Sequence, residues 1–284
     1  MSAPTVRRRQ LGRTLRAMRE GLGLTQEEVT ERSGGRINGA KLSRIETART
    51  AATAADVSDI LDLYDVTDDE LRAGVLKLTR EGGRRGWWQS YRSVLSPAYE
   101  DLISLEAEAA SVRTWQIGCI PGLLQTAEYA REIITSTAMS AAAEERVEAL
   151  VEVRLARQAV LTRETPLELW AIIGEAALRT RAGEGVMHEQ LGRLLSVSRR
   201  PTINVQVLPS VAAPHVGQMG SYSILGFDEH ADLDVVHVES LTSALYVEDR
   251  DNVAAYRDAF ERLRAAALSV EASMGLIEQI RNSK

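Results

Sequence analysis

The chain has 284 residues, enough for two domains of ordinary size. It is 44% hydrophobic and 26% charged, as globular proteins are, and it lacks the run of about 18 apolar residues that a membrane span needs. The net charge of -6 is uneven: residues 1–50 hold 11 Lys and Arg against 5 Asp and Glu, and the remainder 23 against 35, which points to polyanion contact at the head only. The basic start, Met1 to Arg9, is followed by no apolar stretch and does not read as a secretory signal. The single cysteine, Cys119, predicts a reducing, cytoplasmic setting and excludes a cysteine-based zinc site.

Residues 8–20 place Leu11, Leu15 and Met18 on one helical face and arginines on the other. Gly21-Leu22-Gly23 ends that helix. Thr25, with Glu28 three residues later, forms a capping box that opens a second helix, which Gly34-Gly35 closes. Asn38-Gly39-Ala40 opens a third, with Leu42 and Ile45 inward. Thr53 caps a fourth over 54–64, and 68–80 form a fifth. Five short helices with a tight turn between the second and third predict an all-α helix-turn-helix domain over residues 1–80.

Residues 81–86 (EGGRRG) read as a linker, and Trp87-Trp88 as an anchor for a second domain over 87–284. Helices are expected over 97–113, 121–135, 143–163 and 186–198, and a strand over 167–173. Period-two alternation then predicts strands at 202–208, 222–225 and 233–239, with a shorter one at 244–247. Helices at 250–268 and 270–281 finish the chain. The expected fold class is α+β, with a mainly helical second domain around a small sheet of four to five strands.

No catalytic constellation emerges. His188-Glu189 begins like a zinc-binding HExxH, but Gly192 replaces the second histidine. Gly183-Glu184-Gly185 reads as a turn. His188, His215, His230 and His237 are scattered, and His237 reads as structural. The expectation is no enzyme activity, no cofactor and no metal. The Pro-, Gly- and Ala-rich segment 209–220 reads as a connection, with a pocket cover as the alternative.

Two stretches, GLTQEEV at 23–29 and LSRIE at 42–46, resemble the signature segments of XRE-family regulators. The resemblance implies that the chain binds a double-stranded DNA operator. The second helix would cross the backbone, its first amides and Thr25 and Gln26 holding a phosphate. The third would enter the major groove, presenting Asn38, Gly39, Ala40, Lys41, Ser43 and Arg44. Arg36 and Arg49 complete the expected DNA-binding set. Gly39 and Ala40 are short for base reading, so shape readout is expected to contribute. The turn before Lys41 is about two residues longer than the family's, which leaves the start of the third helix open. Glu46 is expected to pair with Arg19 inside the domain. Residues 87–280, through LEAEA at 105–109, IPGLLQTAEYA at 120–130 and GSYSIL at 220–225, resemble the C-terminal domain of antitoxin-like XRE regulators. That implies a second domain that receives a small partner protein, the period-two strands offering an edge for it; a homodimer is expected because it suits two half-sites and because the helices at 143–163 and 250–268 are long and amphipathic. The alternative is a small-molecule sensor, marked by a polar-lined pocket.

Overall fold

The computed structural model describes residues 6–81, 86–138, 144–227, 233–241 and 243–283. The central part of the expected linker, 82–85, and His230 lie outside them. The chain forms two compact units, Met1–Trp87 and Trp88–Lys284.

The first unit is five helices: α1 (Val6–Gly21), α2 (Gln26–Arg32), α3 (Gly39–Glu46), α4 (Ala54–Leu63) and α5 (Asp69–Glu81). Leu15, Val29, Leu42, Ile45, Ile60 and Leu78 fill its core. The extra length between α2 and α3 is taken up by Gly34 and Gly35, both left-handed at φ 61° and 82°. The third helix therefore starts at Gly39, with Asn38 as its cap. At Gly12 α1 passes so close to α3 that an added Cβ would lie 2.5 Å from the Glu46 carbonyl oxygen and 2.6 Å from that of Ile45.

The second unit holds α6 (Pro97–Glu108), β1 (Ser111–Gln116), α7 (Ala127–Thr137), α8 (Val147–Arg157), β2 (Glu168–Gly174), α9 (Glu175–Leu178), α10 (Val186–Val197), β3 (Ile203–Leu208), β4 (Tyr222–Gly226), β5 (Val235–Glu239), β6 (Ala244–Val247), α11 (Arg250–Ala266) and α12 (Val270–Asn282). The class is α+β, but the sheet has six strands, in the order β3-β2-β1-β4-β5-β6. The additional strand is β1. Its first three residues were expected to continue the helix of 97–113. That helix stops at Glu108 because Ala109 turns extended, and Ala110 then begins bonding to the neighbouring strands. The expected helix of 121–135 divides into a 3-10 turn at Gly122–Leu124 and α7, separated by Thr126, which caps α7. The long helix expected over 143–163 ends at Arg157 in a 3-10 turn over Gln158–Leu161.

β1, β2 and β3 are parallel; β4, β5 and β6 continue antiparallel from β1. One face buries Trp115, Ile172, Tyr222, Ile224 and Val236 against Val253, Phe260 and Leu263 of α11. Of the three strands expected to offer an edge, only β3 lies at one, and β6 forms the other. β4 and β5 are interior strands. At the β3 edge, the Val207 amide donates to Ser273 Oγ of α12 and its carbonyl accepts from Leu268. Trp88 packs with Leu95, Ile103 and Val153, anchoring α6 to α8, while Trp87 is exposed.

Candidate functional site

Thr25 Oγ1 accepts from the Glu28 amide at 3.1 Å, and the Glu28 carboxylate accepts from the Thr25 amide at 2.7 Å. This capping box fixes the first turn of α2. Asn38 Oδ1 accepts from the Lys41 amide at 2.7 Å and does the same for α3. With Leu42 and Ile45 held in the core, α3 turns Ala40 and Arg44 to solvent and leaves Ser43 half-buried. This outward side is the surface a helix would lay in a major groove. The Gly39 backbone meets α2, where a Cβ would find Thr30 Oγ1 at 3.6 Å, an ordinary contact.

The expected cations differ in availability. Arg44 and Arg49 are exposed and have no ion-pair partner among the described residues. Arg36 donates to the Ser33 carbonyl and lies 3.8 Å from Asp59. Lys41 is half-buried, and its Nζ lies 2.5 Å from Asp56 Oδ1. Burial works against the Asp56 carboxylate, yet the Lys41 and Thr53 hydrogen bonds win and hold it below the usual range. Residues 51–81 carry 8 acids against 3 bases, so α4 and α5 offset much of the basic charge of α1–α3.

Gln26 has an internal task. Its amide donates to Glu46 Oε2 at 2.9 Å. Arg19 grips the same carboxylate with Nε at 2.7 Å and Nη2 at 3.0 Å, and its Nη1 donates to the Leu24 carbonyl. The chain thus ties α1, α2 and α3 together at one buried carboxylate. The Tyr64 hydroxyl is also buried and has no hydrogen-bond partner among the described residues.

The second unit holds a cavity of about 370 Å³. Its floor is the sheet face opposite α11. Pair register sets Thr114, Ser223, His237 and Tyr246 side by side across β1, β4, β5 and β6. Thr114 Oγ1 and Ser223 Oγ are 2.8 Å apart, and the His237 and Tyr246 ring centres 5.1 Å. Tyr246 donates to the Ala98 carbonyl at 2.5 Å. Above lie α6 and α8, joined by the buried pair Arg157–Glu106 with bonds of 2.8 and 2.6 Å. Cys119, Leu123 and Arg154 also line the space. Burial, together with the nearby Arg157 charge, pushes the His237 imidazole down to about 4, so it is neutral at pH 7. Burial also raises the Cys119 thiol, which disfavours a thiolate there.

Two family models match. Residues 10–74 match a helix-turn-helix domain, and residues 99–279 match a family described as a domain of unknown function, DUF5753. The chain belongs to the DUF5753 family. No curated protein and no solved structure matches it.

The cavity lies wholly within the DUF5753 region; of its lining residues, the sequence marks Leu102, Leu123, Ile133 and Arg154 only as helix-face positions, Cys119 as the single cysteine and His237 as structural, and it brings none of them together. The alternation in Tyr222–Gly226 and Val235–Glu239 carried part of the signal, because it puts Ser223 and His237 on inward positions. His215 lies elsewhere, edge-on to the Trp115 ring with centres 5.7 Å apart. In the DUF5753 segment 209–220, the Gly217 carbonyl accepts from Trp115 Nε1 at 2.9 Å, which pins this connection to the opposite sheet face. Among the described residues no group of three or more His, Cys, Asp or Glu is placed to hold a metal ion. No helix among them is long and apolar enough to cross a membrane.

Proposed function

We propose that this protein is a cytoplasmic, sequence-specific DNA-binding transcription regulator of the XRE type, with α3 as its recognition helix. The observation that carries the reading is the outward side of α3, where Arg44 stands exposed, with no ion-pair partner among the described residues, beside Ala40 and Ser43. The helix-turn-helix match over residues 10–74 supports it. The short side chains at Gly39 and Ala40 favour a share of shape readout. A symmetric homodimer suits two half-sites one turn of DNA apart. The second unit supplies the regulatory input and catalyses no reaction.

Two inputs suit such a unit: a small partner protein, as in antitoxin-like regulators, or a small molecule. The cavity, lined by polar and apolar groups together, supports the small molecule. The interior placement of β4 and β5 and the occupied backbone of Val207 weaken the case for a partner strand. The test is selection of binding sequences by the full chain, followed by footprinting. The expected result is a site with two related half-sites. Equal affinity for all duplexes would overturn the reading.

A further inference from the structure

Three features of the cavity converge. The first is its place in the sheet. The chain builds outward from β1 through β2 to β3, then returns to β4 and builds the other way. The order therefore reverses between β1 and β4, the place where parallel α/β sheets hold their ligands; here β4 is antiparallel, and the reversal brings chemically distinct strands together under the cavity. β1 and β5 are each antiparallel to β4, so they run the same way. The cavity lining includes Gln116 and Cys119 at the carboxyl end of β1 and Glu239 at that of β5, with Ser223 of β4 between.

The second feature is His237. It is only 7% exposed, yet neither ring nitrogen has a hydrogen-bond partner among the described residues. Its ring nitrogens are not among the polar atoms sealed from solvent, so the imidazole keeps one donor and one acceptor open. Lining the cavity, it offers both to whatever enters.

The third is Arg154. Its neighbour Arg157 is neutralised by Glu106, but Arg154 has no carboxylate within ion-pair distance among the described residues. Its Nη1 donates to Gln125 at 3.1 Å, and its Nε is buried with no acceptor among the described residues. That Nε is sealed from solvent, so it is the rest of the guanidinium, on the cavity lining, that can pair with an anionic oxygen. Leu102, Leu123 and Leu169 supply apolar wall on the same cavity.

We propose that this cavity is a binding site for a small organic acid, whose single carboxylate pairs with Arg154, whose apolar body lies along Leu102, Leu123 and Leu169, and whose polar group meets His237. One unpaired guanidinium balances one negative charge. The exposed Glu239 at the same cavity disfavours a doubly charged phosphate. The inference deepens the small-molecule reading of the second unit and rests on it. Its test uses no DNA, so it fails or holds apart from the DNA-binding reading.

The test is calorimetry and thermal shift on the full chain with straight-chain C4–C10 carboxylates, benzoate and phenylacetate. The amide and the amine of each skeleton and inorganic phosphate serve as controls. At least one acid is expected to bind and raise Tm while its amide and amine do not. Arg154→Gln should weaken that acid about tenfold or more, and Arg154→Lys should retain part of the affinity. His237→Phe should weaken binding with Arg154 intact. Circular dichroism establishes that each variant is folded, and an Arg154→Gln chain that does not fold leaves the Arg154→Lys and His237→Phe comparisons to decide. Binding of amines equal to acids, acid binding indifferent to all three variants, tighter binding of inorganic phosphate, or no binding by any acid would each overturn the assignment.

Discussion

Arg19 and Glu46 stand 27 residues apart in the chain and meet side by side through two hydrogen bonds of 2.7 and 3.0 Å. The pair is buried, and Gln26 adds a third bond to the same carboxylate. Removing Glu46 would leave the Arg19 charge in the interior without a counterion. Glu46→Ala should cost the first unit about 3–5 kcal/mol, the usual penalty for breaking a buried pair. Hydrogen exchange along α1 and α3 would measure it. A loss under about 1 kcal/mol would show that Arg19 finds water instead.

Gln26→Ala follows from the same network. The sequence reading assigned Gln26 to the DNA backbone, and its amide here serves Glu46. The substitution should lower stability by about 1 kcal/mol and weaken binding to all sequences alike. A change in sequence preference at unchanged stability would contradict this.

Gly12→Ala places a methyl against two backbone carbonyls that cannot swing aside. The helices must part, at a cost of roughly 1–3 kcal/mol. A melt of the variant that matched the parent would mean that α1 can slide at no cost.

The two cations of α3 should behave differently. Arg44→Ala should weaken operator binding by about 1–3 kcal/mol if it reads a base. If it contacts phosphate, all sequences weaken and the salt dependence becomes shallower. Lys41→Ala should have the smaller effect, since Asp56 already engages its charge. Asp56→Asn should release Lys41, tighten binding and steepen the salt dependence. Equal losses for Lys41→Ala and Arg44→Ala, with Asp56→Asn neutral, would show that DNA draws Lys41 away from Asp56 without penalty.

His237 makes a prediction about acid. Below about pH 6.5 the unfolded chain takes up a proton that the folded imidazole refuses until pH falls to about 4. Stability of the second unit should therefore fall through that window, by up to about 1.4 kcal/mol per pH unit. The neighbouring Arg157 acts in the same direction, by repelling the imidazolium. Denaturant unfolding followed by the fluorescence of Trp88, Trp115 and Trp170 would measure the slope. His237→Gln should flatten it; a slope unchanged by that substitution would assign the effect to other groups.

The parts of this fold that depend on neighbours in sequence were readable in advance. Thr25 with Glu28, and Asn38 before Lys41, announce helix starts because a cap and its amide lie three residues apart. β1 was hidden because Leu105 to Ala109 continue a helical pattern to its threshold. The six residues that follow become a strand only when β2 and β4 bond to both sides. The row Thr114, Ser223, His237, Tyr246 could not be read, since it exists only through the register of four strands drawn from distant parts of the chain. The Lys41–Asp56 pair was missed for a related reason: it joins two helices whose packing no local signal dictates.

The position of β1 has a consequence for how the protein comes into being on the ribosome. Its partners are Glu168–Gly174 on one side and Tyr222–Gly226 on the other. The middle of the sheet therefore has a bare edge until most of the chain has been made. The helical first unit draws its contacts from nearby segments and folds without waiting. A nascent chain thus acquires its α2–α3 surface well before its cavity exists. Any arrest or cleavage in that interval would release a form that carries the α2–α3 surface and lacks the cavity.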